Sequence, residues 1–138
     1  MNNGRFAIAI HVLTLLEVSK EELLASDYIA GSININSVLV RKEIAELRKA
    51  GLVDSKEGKN GGFFLAKKAD DINLGDLFKV IYPDSIFAFA KNTPNPHCPI
   101  GKDINKHLEG LYIEAELALV QNLKKHSLAE FCQKFISK

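Results

Sequence analysis

The chain of 138 residues carries a net charge of +1, and 46% of its residues are hydrophobic and 25% charged. This composition is typical of one globular domain that can bury a core, and it excludes a global electrostatic attraction to nucleic acid or membranes. Two cysteines, Cys98 and Cys132, are too few for a disulfide framework.

Residues 6–18 predict a helix whose apolar side chains lie on more than one side, as in a helix buried between two neighbours. The start of this segment resembles a signal peptide, but one basic residue precedes it, Glu17 follows it, and no cleavage site is present. The apolar run is also too short to span a bilayer. We therefore expect a cytoplasmic protein without a membrane partner, in which His11 belongs to a core or an interface.

The next two helices are short and are separated by a polar turn. Ser26 is expected to cap a helix over residues 27–32, and Asn36 to cap a helix over 37–50 that ends before Gly51. Residues 52–56 and 63–67 are strand-like, so the glycine-rich segment between them predicts a hairpin.

The glycines of this hairpin do not fit a phosphate-binding loop. Neither GxxxxGK[ST] nor a GxGxxG that opens a helix is present, because the residues after Gly62 are aromatic and strand-like. The glycines are therefore expected to form a tight turn, for which positive φ angles are needed.

The C-terminal half predicts three more helices. Asn73 should cap a helix that Pro83 ends, and a capping box of Ser127 and Glu130 should open the last helix. Between them, residues 84–98 are irregular and residues 99–125 form a long helix. Its apolar residues recur at steps of four and three, as in a coiled-coil seam. The predicted dimer interface is Ile104, Leu108, Leu111, Ala115 and Ala118.

Two short helices, a polar turn and a hairpin follow the order of a winged helix-turn-helix. We therefore predict an α+β, mostly helical protein with a DNA-binding domain at residues 1–83. The rest of the chain is predicted to be a connecting loop at 84–98, followed by a dimerisation helix and a C-terminal helix at 99–138. Residues 36–68 carry a charge of +4 and the remainder −3, so the positive charge is concentrated where this fold contacts duplex DNA.

The third helix has the pattern of a recognition helix. Its apolar face, Val40 with Ile44 and Leu47, can pack inward, while the opposite face is basic near both ends. Arginine or lysine can bind guanine, valine can contact a thymine methyl group, and the hairpin can meet phosphates. The predicted DNA-binding residues are Asn36, Ser37, Val38, Arg41, Lys42, Lys49, Lys56, Lys59, Asn60 and Gly61.

Three stretches carry a resemblance to a known family: RFAIAIHVL, IAGSININSVLVRKEIAELRKAGLVDSKEGKNGGFFLAKKADDINLGDLFKVI and NPHCPIG. Through them the chain resembles the Rrf2 family of bacterial transcription regulators, most specifically over residues 50–66. The resemblance implies a homodimeric repressor that binds a partly palindromic operator, with Val38, Arg41 and Lys42 at base-contacting positions. Glu57 stands where the family often has a wing arginine, so Lys56 or Lys59 is expected to replace it.

Family members that hold an iron–sulfur cluster have three cysteines in the loop before the long helix, and here Cys98 is alone. The chain therefore resembles the cluster-free branch, and we expect no cofactor. A zinc site of His97, Cys98, His107 and Cys132 is disfavoured because its spacing is unlike that of structural zinc sites.

Cys98 precedes Pro99, a typical first residue of a helix, so the helix dipole and Lys102 would favour a thiolate. One interpretation is an oxidant or electrophile sensor that pairs with Cys132 or with a cysteine of a second subunit. The other is a small, unreactive residue that caps the helix. The effector of the regulator is accordingly expected to be either an oxidant or a small molecule.

Two other functions fit the residues less well. Asp103 and His107 lie one helical turn apart, but no nucleophile accompanies them, so an enzyme is not expected. The alternative to operator binding is a winged-helix module that binds a protein, and salt-sensitive binding to duplex DNA separates the two.

Overall fold

The structure, a computed structural model, describes residues 4–136. Within this range the α-helices are α1 (Arg5–Val18), α2 (Ser26–Ile33), α3 (Ser37–Lys49), α4 (Leu74–Ile81), α5 (Pro99–Leu123) and α6 (Leu128–Ile136). The strands β1 (Val53–Lys56) and β2 (Gly62–Leu65) form an antiparallel pair, and a short 3-10 turn spans Ala69–Asp71. This order confirms the mostly helical winged helix-turn-helix.

Two asparagines begin helices as predicted. Asn36 Oδ1 accepts a hydrogen bond from the Val38 amide at 2.7 Å, and Asn73 Oδ1 accepts from the Gly75 and Asp76 amides at 2.9 and 3.1 Å. These bonds satisfy amides that have no partner within the helix.

Two other predicted caps are corrected. Ser26 is the first residue of α2 instead of its cap, and its hydroxyl accepts a hydrogen bond from Arg41 of α3 at 3.3 Å. At α6, Ser127 Oγ accepts from the Glu130 amide at 3.1 Å, but the Glu130 carboxylate lies 2.7 Å from His126 Nδ1. Only the Ser127 half of the capping box is therefore formed.

The hairpin is extended by a third segment that the sequence pattern did not indicate. Leu24 exchanges two backbone hydrogen bonds with Phe63 of β2, at 3.2 and 2.8 Å. A Cβ on Gly62 would lie 2.9 Å from the Leu24 backbone, and one on Gly61 would collide with the Lys56 carbonyl oxygen. The glycines therefore allow close backbone approach, and Gly58 adds a positive φ of 108°.

The core lies between α1, α3, α4 and the hairpin, and α6 closes it. Leu128 and Cys132 of α6 are buried against α1, and the Leu128 amide donates to the Ile72 carbonyl at 2.8 Å. The helix after α5 thus returns to the winged-helix core. The domain limits stay a prediction, and residues 1–3 and 137–138, which they include, lie outside the described residues.

The connecting loop packs along one side of α5. The Phe87 ring stacks on Tyr112 with centroids 5.0 Å apart, and Tyr112 Oη donates to the Ala88 carbonyl at 2.9 Å. Glu116 Oε1 accepts from the Ile86 amide at 3.2 Å. The predicted seam lies beside this contact, with Leu111, Ala115 and Ala118 exposed and Ile104 and Leu108 half-buried. None of the helices within residues 4–136 has the length and apolarity needed to cross a membrane.

Candidate nucleic-acid interface

The two faces of α3 are separated as the sequence predicts. Val40, Ile44 and Leu47 are fully buried in the core, whereas Val38 is 61% exposed at the opposite face. Arg41, Lys42, Ala45 and Lys49 are exposed on this outer side. The core contacts therefore hold the helix, and its basic residues face solvent.

Arg41 is positioned by two serines near the N-terminal end of α3. Its Nη1 atom donates to Ser26 Oγ at 3.3 Å and to Ser37 Oγ at 3.5 Å. Because both bonds use one nitrogen, the other guanidinium donors remain for a bidentate partner. The Lys42 side chain makes no hydrogen bond or ion pair with the part of the chain that the structure describes.

The C-terminal end of α3 is partly neutralised by ion pairs. Lys49 lies 3.3 Å from Glu46, and Arg48 lies 3.4 Å from Asp54 of β1. All four side chains are largely exposed, so these pairs contribute little stability and can exchange for a phosphate. The residues predicted from sequence did not include Arg48, although its spacing from Arg41 indicates the same side of the helix.

The tip of the hairpin, residues 56–61, forms the wing. Lys56, Glu57, Lys59 and Asn60 are exposed. The Gly61 amide donates to the Gly58 carbonyl at 3.0 Å, inside the turn. This bond engages the Gly61 amide within the wing, and the DNA contact expected around Gly61 stays a prediction.

A groove of about 420 Å³ runs between α3 and the hairpin. Ile44, Ala45 and Phe63 line it, together with the cationic side chains Arg41, Arg48 and Lys49. The structure thus brings both ends of the basic face of α3 to the rim of one concave surface. The wing lysines, Lys56 and Lys59, belong to the exposed tip of the same hairpin.

Cys98 is held by a turn at the start of α5. Asn95 Oδ1 accepts from the His97 amide at 2.9 Å, and the Asn95 carbonyl accepts from the Cys98 amide at 3.2 Å. Gly101 has no side chain to block this turn, since a Cβ there would lie 2.7 Å from the Asn95 carbonyl oxygen. The half-buried thiol occupies the N-cap position, as the sequence predicts.

The local amides favour the thiolate form of Cys98. The backbone N–H groups of Gly101 and Ile100 lower the pKa of this thiol below its ordinary value. Both groups belong to the first turn of α5, where backbone N–H groups that lack a partner within the helix favour a negatively charged sulfur.

An intramolecular disulfide between Cys98 and Cys132 is ruled out by position. Cys132 is 1% exposed in the core near Thr14, and burial raises the pKa of its thiol. Cys98 directly precedes the 25-residue helix α5. A helix of that size is about 37 Å long, far beyond the Cα separation of about 7 Å that a disulfide allows.

A second concave surface lies between α1, the end of α2 and α6. The cavity has a volume of about 650 Å³, and its wall is mostly apolar. His11 Nε2 and Ser32 Oγ, 2.9 Å apart, form a polar pair in its lining. The sequence indicated this surface only through the apolar residues on several sides of α1. The apolar lining consists mainly of Phe6, Ala7, Ile10, Leu15, Val18, Phe131 and Phe135.

Comparison with known proteins gives one consistent result. Residues 2–134 match the Rrf2 family model, which is described as an iron-dependent transcriptional regulator. The chain is 37% identical over 131 residues to YwnA of Bacillus subtilis, named as an HTH-type transcriptional regulator, covering 94% of this chain and 96% of that protein.

Solved structures agree with this family match. A transcriptional regulator from Lactobacillus plantarum superposes with a TM-score of 0.84 and 26% identity, over 97% of this chain and 91% of that one. CymR, the global cysteine regulator of Bacillus subtilis, superposes with a TM-score of 0.71 and 21% identity, over 97% of both chains. The CymR likeness shows the fold.

The family description names iron dependence, but the donor set of this chain does not fit an iron–sulfur cluster. Such clusters are held by four ligands, usually cysteines. The connecting loop supplies Cys98 alone, and Cys132 is buried in the core at the other end of α5. Among residues 4–136 no three His, Cys, Asp or Glu side chains come close enough together to hold a metal ion.

Proposed function

Because this chain belongs to the Rrf2 family of DNA-binding transcriptional regulators, we propose that it is a homodimeric repressor that binds a partly palindromic operator. One observation carries the proposal: α3 exposes Val38, Arg41 and Lys42 at its N-terminal half while its opposite face is anchored in the core. This is the part of a recognition helix that reaches base edges in the major groove.

Arg41 is the first choice for direct base reading. Its two serine partners hold the guanidinium before DNA arrives, so less side-chain entropy is lost on binding. A bidentate contact with guanine O6 and N7 uses the donors that remain. Lys42 can donate to a neighbouring guanine, and Val38 can contact a thymine methyl group.

The remaining predicted residues are proposed to bind the DNA backbone. Such contacts fix the register of the protein without reading sequence. Lys56 and Lys59 on the wing flank Glu57, whose carboxylate repels phosphate. The backbone-contacting set is Asn36, Ser37, Lys49, Lys56, Lys59 and Asn60, with Gly61 shaping the turn.

The exposed seam of α5 supports the homodimer. Leu111 is 59% exposed, and Ala115 and Ala118 are exposed beside it, so a second copy would remove this apolar stripe from water. A two-fold dimer presents two α3 helices, which matches an operator with two related half-sites. Binding to the genome places the protein in the cytoplasm and requires no catalytic activity.

Regulation through Cys98 is proposed because its thiolate is favoured. A peroxide converts the thiolate to a sulfenic acid with release of hydroxide, and a second thiol then forms a disulfide with loss of water. That second thiol is Cys98 of a second copy or a small thiol, since Cys132 is out of reach. A change at this cap alters the start of α5 and thereby the relative orientation of two DNA-binding domains.

The alternative effector is a small apolar molecule in the cavity between α1 and α6. Its volume of about 650 Å³ is within the usual range of ligand sites, and the His11–Ser32 pair offers one polar anchor. If DNA binding does not change with oxidants but responds to such a ligand, the apolar molecule is favoured as the effector over an oxidant acting at Cys98.

The test is an electrophoretic shift with the promoter region upstream of the protein's own gene and random DNA as competitor. Reduced protein is expected to bind specifically, with an affinity that falls steeply as salt rises. Treatment with hypochlorite or diamide should release the DNA, and reductant should restore binding. Absence of specific binding to any genomic fragment would favour the protein-interaction module instead.

A further inference from the structure

Glu43 is a buried carboxylate on the recognition helix. It lies between exposed Lys42 and buried Ile44, and its side chain is only 12% exposed. Its Oε2 atom is 3.2 Å from Arg5 Nε, whereas its Oε1 atom is buried without a hydrogen-bond partner in the described chain. An apolar residue of similar size would fill this place without the cost of desolvating a charge.

Arg5 links Glu43 to a third element. The Nη1 atom of Arg5 donates to the carbonyl oxygen of Ile81, the last residue of α4, at 3.2 Å. A cation at this carbonyl also complements the negative end of the α4 dipole. One guanidinium at the start of α1 therefore contacts both the recognition helix and the point from which the chain leaves for the connecting loop.

We propose that Arg5 and Glu43 form a clasp that sets the orientation of α3 relative to the end of α4, making Glu43 a positioning residue for operator recognition. This inference rests on the proposed function. A single ion pair with one oxygen unsatisfied contributes little to stability, but it is directional. Val38, Arg41 and Lys42 are aimed by the rotation of α3, so the clasp controls where they reach DNA.

The two partners differ in what their loss leaves behind. Removing Glu43 leaves Arg5, which is 42% exposed and can be hydrated. Removing Arg5 instead leaves the Glu43 carboxylate buried and unpaired, which is costly. Stability and recognition can therefore be separated by substitution.

The experiment compares Glu43→Leu, Arg5→Met and the double variant in melting temperature and in affinity for operator and random DNA. Glu43→Leu should keep the parent's melting temperature, Arg5→Met should melt at a lower temperature, and the double variant should regain the parent's value. Glu43→Leu and the double variant both lack the Glu43 carboxylate. Both should bind operator about tenfold more weakly, which is the effect of a misplaced base contact, while their affinity for random DNA should stay unchanged.

Leu47→Val is the matched control, because it trims a fully buried core position of α3 one helical turn after Glu43 and outside the groove. It should keep operator specificity. Operator affinity equal to the parent in both Glu43→Leu variants would overturn the clasp as a positioning device, as would an equal loss on random DNA. If Glu43→Leu does not fold, Glu43→Gln keeps the shape and removes the charge.

A DNA-free measurement separates this inference from the proposed function. Spin labels at Glu46→Cys on α3 and Lys79→Cys on α4, in a Cys98→Ser background, report the distance between the two helices. The parent clasp should give one narrow distance, and Glu43→Leu a broader or shifted one. A parent that binds no operator would refute the proposed function, while an unchanged distance in Glu43→Leu would refute the clasp.

Discussion

Arg41 on α3 donates through Nη1 to Ser26 Oγ on α2, 3.3 Å away. The bond joins the two helices of the helix-turn-helix at the end where α3 is proposed to meet base pairs. The Ser26 hydroxyl is thereby bound to α3, and Arg41, which is proposed to read a base, has a fixed starting position.

Arg41→Ala should weaken operator binding by about 1–3 kcal/mol while leaving affinity for random DNA nearly unchanged. The physical reason is the loss of a bidentate contact with a base edge. Fluorescence anisotropy with operator and random duplexes measures both affinities. Arg48→Ala is the control for loss of a phosphate contact, because Arg48 lies at the other end of α3, where its ion pair with Asp54 can exchange for a phosphate. Equal losses of Arg41→Ala on both duplexes would make Arg41 a phosphate contact.

Leu111→Glu should dissociate the proposed dimer, raising its dissociation constant at least about tenfold because a buried leucine contributes about 1.5–3 kcal/mol. Analytical ultracentrifugation gives this constant directly. Leu117→Glu is a close control, since Leu117 lies on the same helix outside the seam and both leucines are 59% exposed. Dissociation by Leu117→Glu but not by Leu111→Glu would move the interface to the other side of α5.

Cys98 should react with iodoacetamide faster than free cysteine at neutral pH. Its pKa is lowered, so its thiolate persists to lower pH and the rate should reach half its maximum at a lower pH than for free cysteine. Mass spectrometry of the native protein gives the rate at each residue. Cys132 should stay unmodified until the protein unfolds, because it is buried and its pKa is raised. A Cys98 rate profile that matches free cysteine would argue against a sensor.

Gly61→Ala should lower the free energy of unfolding by about 1–3 kcal/mol, as expected for an atom forced into occupied space. The added Cβ collides with the Lys56 carbonyl oxygen, so the wing must shift. Gly31→Ala in α2 is the control: nothing lies within 4 Å of its Cβ, and alanine should stabilise the helix by about 0.5–1 kcal/mol. Urea unfolding measures both. A neutral Gly61→Ala would mean that the turn accommodates a side chain.

Much of the fold could be predicted because its signals are local. The Asn36 and Asn73 caps, the apolar spacing of α3 and the glycine-rich hairpin each act over a few residues, and the structure confirms them. The exposure of Val38, Arg41 and Lys42 followed from the same spacing. The N-cap position of Cys98 followed from Pro99.

The contacts that refine the candidate site could not be predicted in this way. Arg5 meets Glu43 across 38 residues and Ile81 across 76, and no spacing within one segment indicates either contact. Glu43 looks in sequence like one more charge of a solvated helix, yet the structure buries it. The packing of α6 against α1 likewise separates Cys132 from Cys98, which sequence alone allowed to pair.

The positions of the helices and strands, and the basic face of α3, follow from short stretches of sequence, because helical period and capping depend on neighbouring residues. The orientation of those segments depends instead on how they pack together in the folded domain. Ser26 positions Arg41, Arg5 ties α3 to α4, and the packing of the core places each partner within reach. Such contacts join residues far apart in the chain, so they exist only once the whole domain has folded.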